Sequence, residues 1–298
     1  MPEKQITEKQ HYVPQIYLQG FSQDGISIYE YNFKKAGPIQ NAVPIESVCR
    51  EKNLYEVRNP SGEIINTNFI ENVLCSFEGD FSEHRKKLLR KVIHKENFQI
   101  KSFLTKEEKA FWTFYTALQI VRNPITLSGV KAIIQDETQG YFSELEAQNL
   151  AVALCLPFFQ DPNKQDLNPL KFFLAMLSTK TISVVYVETD NLFTSDHAVY
   201  GSRRPEDEFY QFERLWFPIS SNCALIFSDP KTVDRTMRNR IISVTEEEVR
   251  NQNKGIAYIA AQMVLSKHPF SDEDIELIEK ARRERAQDEE QKTQNQQI

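Results

Sequence analysis

The segment Thr181–Glu188 reads TISVVYVE, and its first seven residues carry no charge. Side chains branched at Cβ are stiff at χ1 and fit a pleated, half-buried surface better than a helix, so the segment predicts a central strand. It also marks a change of character. RLWFPIS (Arg214–Ser220) and NCALIFS (Asn222–Ser228) follow as two further strands around a turn. Near the other end, ISIYEYN (Ile26–Asn32) alternates apolar and polar residues and reads as a strand that Gly37-Pro38 breaks. A short element around Leu54-Tyr55 precedes a turn at NPSGE. Between these strand-rich ends the periodicity is helical. The expected class is α+β: a helical middle packed on a small, mostly antiparallel sheet built from N-terminal and C-terminal strands.

The helical stretches carry recognisable starts. From Asn68 to about Lys95, Phe69, Ile70, Val73, Leu74, Phe77 and Phe81 fall on one face, and Leu88, Leu89, Val92 and Ile93 continue the stripe. Thr105 and Glu108 predict a capping box, in which side chain and backbone satisfy each other's orphan amides, and Pro124 marks a stop or kink. Thr245 and Glu248 predict a second such box. Residues 129–178 read as helical, and GIAYIAAQMVLS (Gly255–Ser266) as one compact apolar helix. Beyond Pro269 the chain turns charged and Gln-rich. The expected organisation is one α+β domain over 1–270 and a polar tail over 271–298, solvated helix and then disorder.

Composition bounds the function classes. The 298 residues are 40% hydrophobic and 26% charged, an ordinary globular profile. A net charge of −6 argues against a dedicated nucleic-acid binder, although a local basic face overrides a total. No window approaches the about 20 apolar residues needed to span a bilayer, so no membrane partner is expected. The opening MPEKQITEKQ lacks the apolar core of a secretory signal. Cys49, Cys75, Cys155 and Cys223 lie far apart without zinc-ligand spacing, and the expected location is cytoplasmic with free thiols. P-loop, GxGxxG and GxSxG signatures are absent, which argues against the common nucleotide folds and α/β-hydrolases. The sequence is silent on oligomeric state.

A set of short motifs recurs along the chain in a particular order. HYVPQ begins at His11, and a Tyr-Leu-x-x-Phe follows at Tyr17. LYE (Leu54–Glu56) precedes a helix bearing Ile70-Glu71 and Phe77-Glu78, and Arg122-Asn123-Pro124 closes the next helix. TSDHAV begins at Thr194 and FPIS at Phe217. In this order they resemble the HYVP family, domain of unknown function 4238, from His11 to about Ser266. The resemblance implies a microbial or viral intracellular protein and supplies no substrate. This chain departs from the family pattern at one motif, with His197 and Ala198 where the family has Asn and Pro.

The polar members of these otherwise apolar motifs are the candidate site residues. Asp196 sits just beyond a strand, where sheets present functional side chains, and suits a metal ligand or base; the alternative is an Asx-type turn bonding nearby amides. Ser195, Asp196 and His197 are no triad, since chain neighbours on an extended backbone point to opposite faces. Glu71 and Glu78 lie within roughly 20° of each other on the helix, their α-carbons about 10 Å apart, so one shared ion requires both to lean inward. Plain surface glutamates are the alternative. Arg122, in the last turn of an aromatic helix, complements the helix dipole or meets a carboxylate or anion, with Asp196 and Glu78 as the partners to check. His11 is a ligand, a general acid, or a histidine bonded to backbone.

If these groups converge, they supply a metal-dependent nuclease or other phosphodiester hydrolase, with His11, Glu78, Arg122 and Asp196 as catalytic residues. His11, Glu71, Glu78 and Asp196 would then hold a divalent metal. Lys87, Arg90 and Lys91, within the basic run HRKKLLRKVIHK (His84–Lys95), are the candidate contacts to a nucleic acid or other phosphate-bearing substrate, or else one solvated helix face. The competing reading is a non-catalytic binding or sensor module in which the same residues fix the fold.

Overall fold

A computed structural model describes residues 8–35, 37–38, 41–65, 67–93, 103–158, 168–202 and 212–295. The fold is α+β, and the chain groups into two compact units. The first is built from the stretch ending at Pro14, from Cys49–Lys87 and from Thr105–Lys180; the second from Gln15–Val48, Leu88–Leu104 and the chain from Thr181 onward.

The first unit is mainly helical. Lys9–His11 pairs antiparallel with Arg50–Lys52, and Val57–Arg58 with Ile64–Ile65 around the predicted NPSGE turn. Leu54 and Tyr55 lie in a turn rather than a regular element. The long helix Phe69–Ile93 follows, its last residues belonging to the second unit. Lys106–Val121 starts at the predicted capping box, Thr105 accepting from the Glu108 amide while Glu108 reaches back to the Thr105 N–H. Pro124 does not kink that helix: it opens the next, Pro124–Glu137, behind the N-cap Asn123. A proline costs nothing there because its missing N–H would be an orphan in the first turn. Glu144–Cys155 and Pro169–Ser178 complete the helices described in this unit. Phe81 stacks on Tyr115 at 4.5 Å and meets Trp112 edge-on, so aromatic contacts knit the long helix to Lys106–Val121.

The second unit holds two five-stranded sheets. In one, Thr181–Tyr186 lies between Cys223–Ser228, antiparallel to it, and Ile241–Ile242, parallel to it; Arg214–Ser220 and Tyr200–Ser202 extend the sheet beyond Cys223–Ser228. The TISVVYVE stretch is thus an interior strand, as its composition predicts. Pro218 lies beyond the residues that Tyr200–Ser202 pairs, beside a register shift, where a missing N–H is tolerated. In the other sheet, Ser27–Asn32 pairs with Met263–Ser266, so strands from the two ends of the sequence do meet, and Thr194–Ser195 adds to its edge.

Two expectations need correction here. The apolar run Gly255–Ser266 is not one helix: the helix Glu246–Ile259 stops, and Met263–Ser266 is a strand. Nor is the tail merely solvated. The helix Asp272–Asn295 buries Ile278 and Ala281 in the core formed by Val185, Trp216, Ile256 and Val264. Its apolar residues are too sparse to declare that stripe in sequence.

Candidate functional site

The named motif residues gather around two buried polar hubs, one in each unit.

In the first unit the centre is Arg122, only 1% exposed at the close of its helix. Its Nη1 donates to Glu78 Oε1 at 3.0 Å, Nη2 to the main-chain carbonyl of His11 at 2.7 Å, and Nε to Tyr55 Oη at 3.5 Å. Tyr55 in turn donates to the Arg122 carbonyl at 2.9 Å. The HYVPQ stretch therefore presents a backbone oxygen, not its imidazole, to the guanidinium. The preceding residue, Gln10, is fully buried; it donates to Glu56 Oε1 at 2.8 Å and accepts from the Tyr55 amide at 2.8 Å. Glu56 also accepts from the Asn68 amide, just ahead of the long helix. Burial works against the charge of Arg122, but Tyr55 and Glu78 more than offset it and hold the guanidinium above its ordinary pKa. Burial pushes the Tyr55 phenol up to about 12, with Arg122 pulling the other way.

Glu71 is the unsettled member of this hub. Its Oε2 is buried and has no hydrogen-bond partner among the described residues. Burial raises its carboxyl to about 7; Arg122 opposes the rise, and Glu78 and Glu56 add to it. Such a group exchanges its proton near neutral pH, the behaviour expected of a general acid or base.

In the second unit the TSD motif has a different task. Asp196 is 2% exposed, and both carboxylate oxygens are occupied: Oδ1 accepts from the Ala261 amide at 3.0 Å and Oδ2 from the Gln262 amide at 2.7 Å. These are the first amides after the helix Glu246–Ile259 and its cap Ala260. Arg282 and Arg285, from the C-terminal helix, donate to the carbonyl of Ala260 at 3.1 and 2.8 Å. Asp196 and the two arginines thus hold both faces of one turn, ending the helix and launching Met263–Ser266. Burial lifts Asp196 to about 6, while the amides of Ala261 and Gln262 restrain the rise. Asp196 therefore bonds backbone amides, but those of a turn 65 positions along the chain and not the nearby amides of an Asx-type turn.

The same hub joins three motifs through Tyr17, which is fully buried. Its hydroxyl donates to the carbonyl of Pro218 in FPIS at 2.7 Å and shares a 2.8 Å hydrogen bond with Thr194 of TSD. Tyr17 also stacks parallel to Phe217 at 5.7 Å between ring centres. His197 folds back locally, its Nδ1 2.9 Å from the carbonyl of Val199, and burial lowers its pKa.

Of the predicted catalytic set, the structure brings together the His11 backbone, Glu78 and Arg122, with Glu71 charge-coupled to them. It assigns Asp196 to the other unit, with each carboxylate oxygen bonded to a backbone amide. Among the described residues no group of three or more His, Cys, Asp or Glu side chains is placed to hold a metal ion, and His11, Glu71, Glu78 and Asp196 form no such group. The physical reason is visible in two of them: Glu78 is committed to Arg122, and Asp196 to backbone amides. Sequence reasoning missed Gln10, Tyr55 and Glu56 as hub members. Tyr55 and Glu56 were announced by the LYE motif, whereas nothing local distinguishes Gln10.

The basic run is less uniform than its composition suggests. Arg85 is buried with its guanidinium over the Phe81 ring, Lys87 pairs with Glu108 at 3.4 Å, and Lys91 lies over the Phe103 ring. Arg90 is exposed, and Lys95 lies outside the described residues.

A family model described as Protein of unknown function (DUF4238) matches residues 9–269. The chain belongs to that family. No curated protein and no solved structure matches it. The matched span of this DUF4238 chain takes in the motif residues of both hubs, from the strand that carries Gln10 to the strand that Asp196 launches, and stops short of Arg282 and Arg285. Among the described residues no helix is long and apolar enough to cross a membrane.

Proposed function

We propose that this chain is a binding or sensor module and that the polar residues of its motifs are the fasteners of its fold. The observation that carries this reading is the placement of Asp196: each of its two oxygens receives a backbone amide and the residue is only 2% exposed, so its carboxylate is turned to the main chain and away from solvent. Arg122 supports it, because each of its three nitrogens already donates to the protein. The test is metal analysis of the purified chain, then incubation with RNA, DNA and a generic phosphodiester with and without EDTA. No turnover in any arm, together with an Asp196→Ala chain that is destabilised rather than merely inactive, is the expected result. Turnover abolished by Asp196→Ala at unchanged melting temperature refutes the proposal.

One observation favours a second reading. Glu71 combines a buried oxygen that has no hydrogen-bond partner among the described residues with a carboxyl that burial raises to about 7. In an acid–base phosphodiester hydrolase Glu71 would be the proton-transferring group, beside an arginine already fixed in place. Its signature is phosphodiesterase activity lost in Glu71→Gln and retained in Asp196→Asn.

A further inference from the structure

The second unit contains a pocket of about 300 Å³ that belongs to neither hub. It opens where two parallel strands end, at Tyr186 and Ile242, beside the start of the helix Glu246–Ile259. The lining combines two chemistries. Val187, Ile241 and Val249, all largely buried, give it an apolar floor. Glu188 and Glu246, both exposed, supply two carboxylates, and Tyr186, Thr189 and Ser243 add hydroxyls.

The charge at this pocket is one-sided. Among the described residues, every titratable side chain lining it other than the tyrosine is an acid, and no basic residue forms an ion pair with Glu188 or Glu246. Glu246 has a structural reason to be acidic, since it lies in the first turn of a helix whose dipole favours negative charge. Glu188 has none: it follows a strand, where no helix end compensates it. Glu248, the other first-turn acid with a defined task, is spent on the capping box with Thr245 and does not line the pocket. The floor excludes a purely hydrated ion, and the carboxylates disfavour an anion.

We propose that this pocket binds a small amphipathic cation, a primary amine on a compact apolar body, with the ammonium between Glu188 and Glu246 and the body over Val187, Ile241 and Val249. The volume matches the lower end of small-molecule sites, roughly 300–1,000 Å³. An ammonium brings three donors to carboxylate and hydroxyl acceptors, and the apolar body removes water from the floor. The proposal concerns a place apart from the Arg122 and Asp196 hubs and holds whether those act as fasteners or as chemistry.

The test is isothermal titration calorimetry of the full chain with phenethylamine and hexylamine, against 2-phenylethanol and hexanol as neutral matches. Saturable binding of an amine is expected, with the matching alcohol at least tenfold weaker. A Glu188→Gln/Glu246→Gln variant should lose at least tenfold in amine affinity while it stays folded, its melting temperature falling by no more than the few degrees that losing one exposed helix-dipole contact allows. Three results overturn the proposal: no amine binding at millimolar concentration, equal affinity for amine and alcohol, or undiminished binding to the folded double variant.

Discussion

Replacing Glu71 with glutamine should stabilise this protein, and by an amount that grows with pH. The carboxyl has an ordinary value of 4.5 and sits at about 7 in the fold. Below the lower value both folded and unfolded chains hold the proton, and ionisation costs the fold nothing. Between the two values the unfolded chain releases the proton more readily, so stability falls as pH rises and levels off above the folded value. A shift of that size corresponds to about 3 kcal/mol at pH 8 and about 1 kcal/mol at pH 5. Glutamine removes this charge penalty but places an amide where Oε2 has no partner, and an unsatisfied polar group costs about 1 kcal/mol or more. The net gain is then about 2 kcal/mol at pH 8 and about zero at pH 5.

For a chain of this length the alkaline gain is worth roughly 3 °C in melting temperature. Paired thermal melts of the two chains from pH 5 to pH 8.5 measure it. Asp196, raised to about 6, gives the wild type a slope of the same sign, so only the difference between the chains isolates Glu71. A difference independent of pH, or a variant less stable than wild type at pH 8, refutes the reasoning. Either would mean that the fold uses Glu71 as an ion with a partner of its own.

Asp196→Ala strips two amides of their acceptor and should cost about 2–4 kcal/mol by thermal melt; Asp196→Asn, which keeps one acceptor oxygen, should cost less, and equal losses would refute the two-amide account. Arg122→Met should cost about 3–5 kcal/mol by leaving Glu78 without its cation, and adding Glu78→Gln should recover part of that loss in a double-mutant cycle; strict additivity would show that the pair does not interact. Tyr17→Phe keeps the stack on Phe217 and loses only the hydroxyl, so it should cost about 1–3 kcal/mol in denaturant titration, and an unchanged midpoint would remove Tyr17 from the hub.

The parts of this fold legible in sequence are those that local chemistry decides. Thr105 with Glu108 and Thr245 with Glu248 form their capping boxes because each box closes within four residues. TISVVYVE is a strand because it is rich in stiff Cβ-branched side chains and almost free of charge, which suits a strand buried on both faces. The break inside GIAYIAAQMVLS was not legible. Nothing in those twelve letters opposes a helix through Ser266, and what ends it is an aspartate some 65 positions upstream taking two amides, with the partner strand Ser27–Asn32 taking the rest. The Arg122 hub shows the same limit from another side. Arg122, Glu78 and Glu71 stood out as polar residues in apolar motifs, but a main-chain carbonyl has no letter, so the contribution of His11 pointed to an imidazole when the bond is made by the backbone.

That distinction bears on how the motifs are to be understood. HYVPQ, LYE, the two glutamate pairs and RNP converge on Arg122; Tyr-Leu-x-x-Phe, TSD and FPIS converge on Tyr17 and the turn that Asp196 holds. Each hub joins segments with no local reason to meet, and in each a buried polar side chain bonds to main chain from far along the sequence. A carbonyl or amide constrains the path of the backbone without constraining the identity of the residue that carries it. In this chain the polar letters of the motifs can therefore resemble an active site while their bonds go to main chain. Glu71 does not fit this pattern: its Oε2 bonds to no described residue and helps no backbone turn. If that oxygen is silent in the pH-resolved comparison of wild type and Glu71→Gln, the whole hub is architecture. If the comparison shows the slope expected of a carboxyl titrating near 7, the fold tolerates an unrelieved charge penalty in its interior, and the search for chemistry in this family narrows to Glu71.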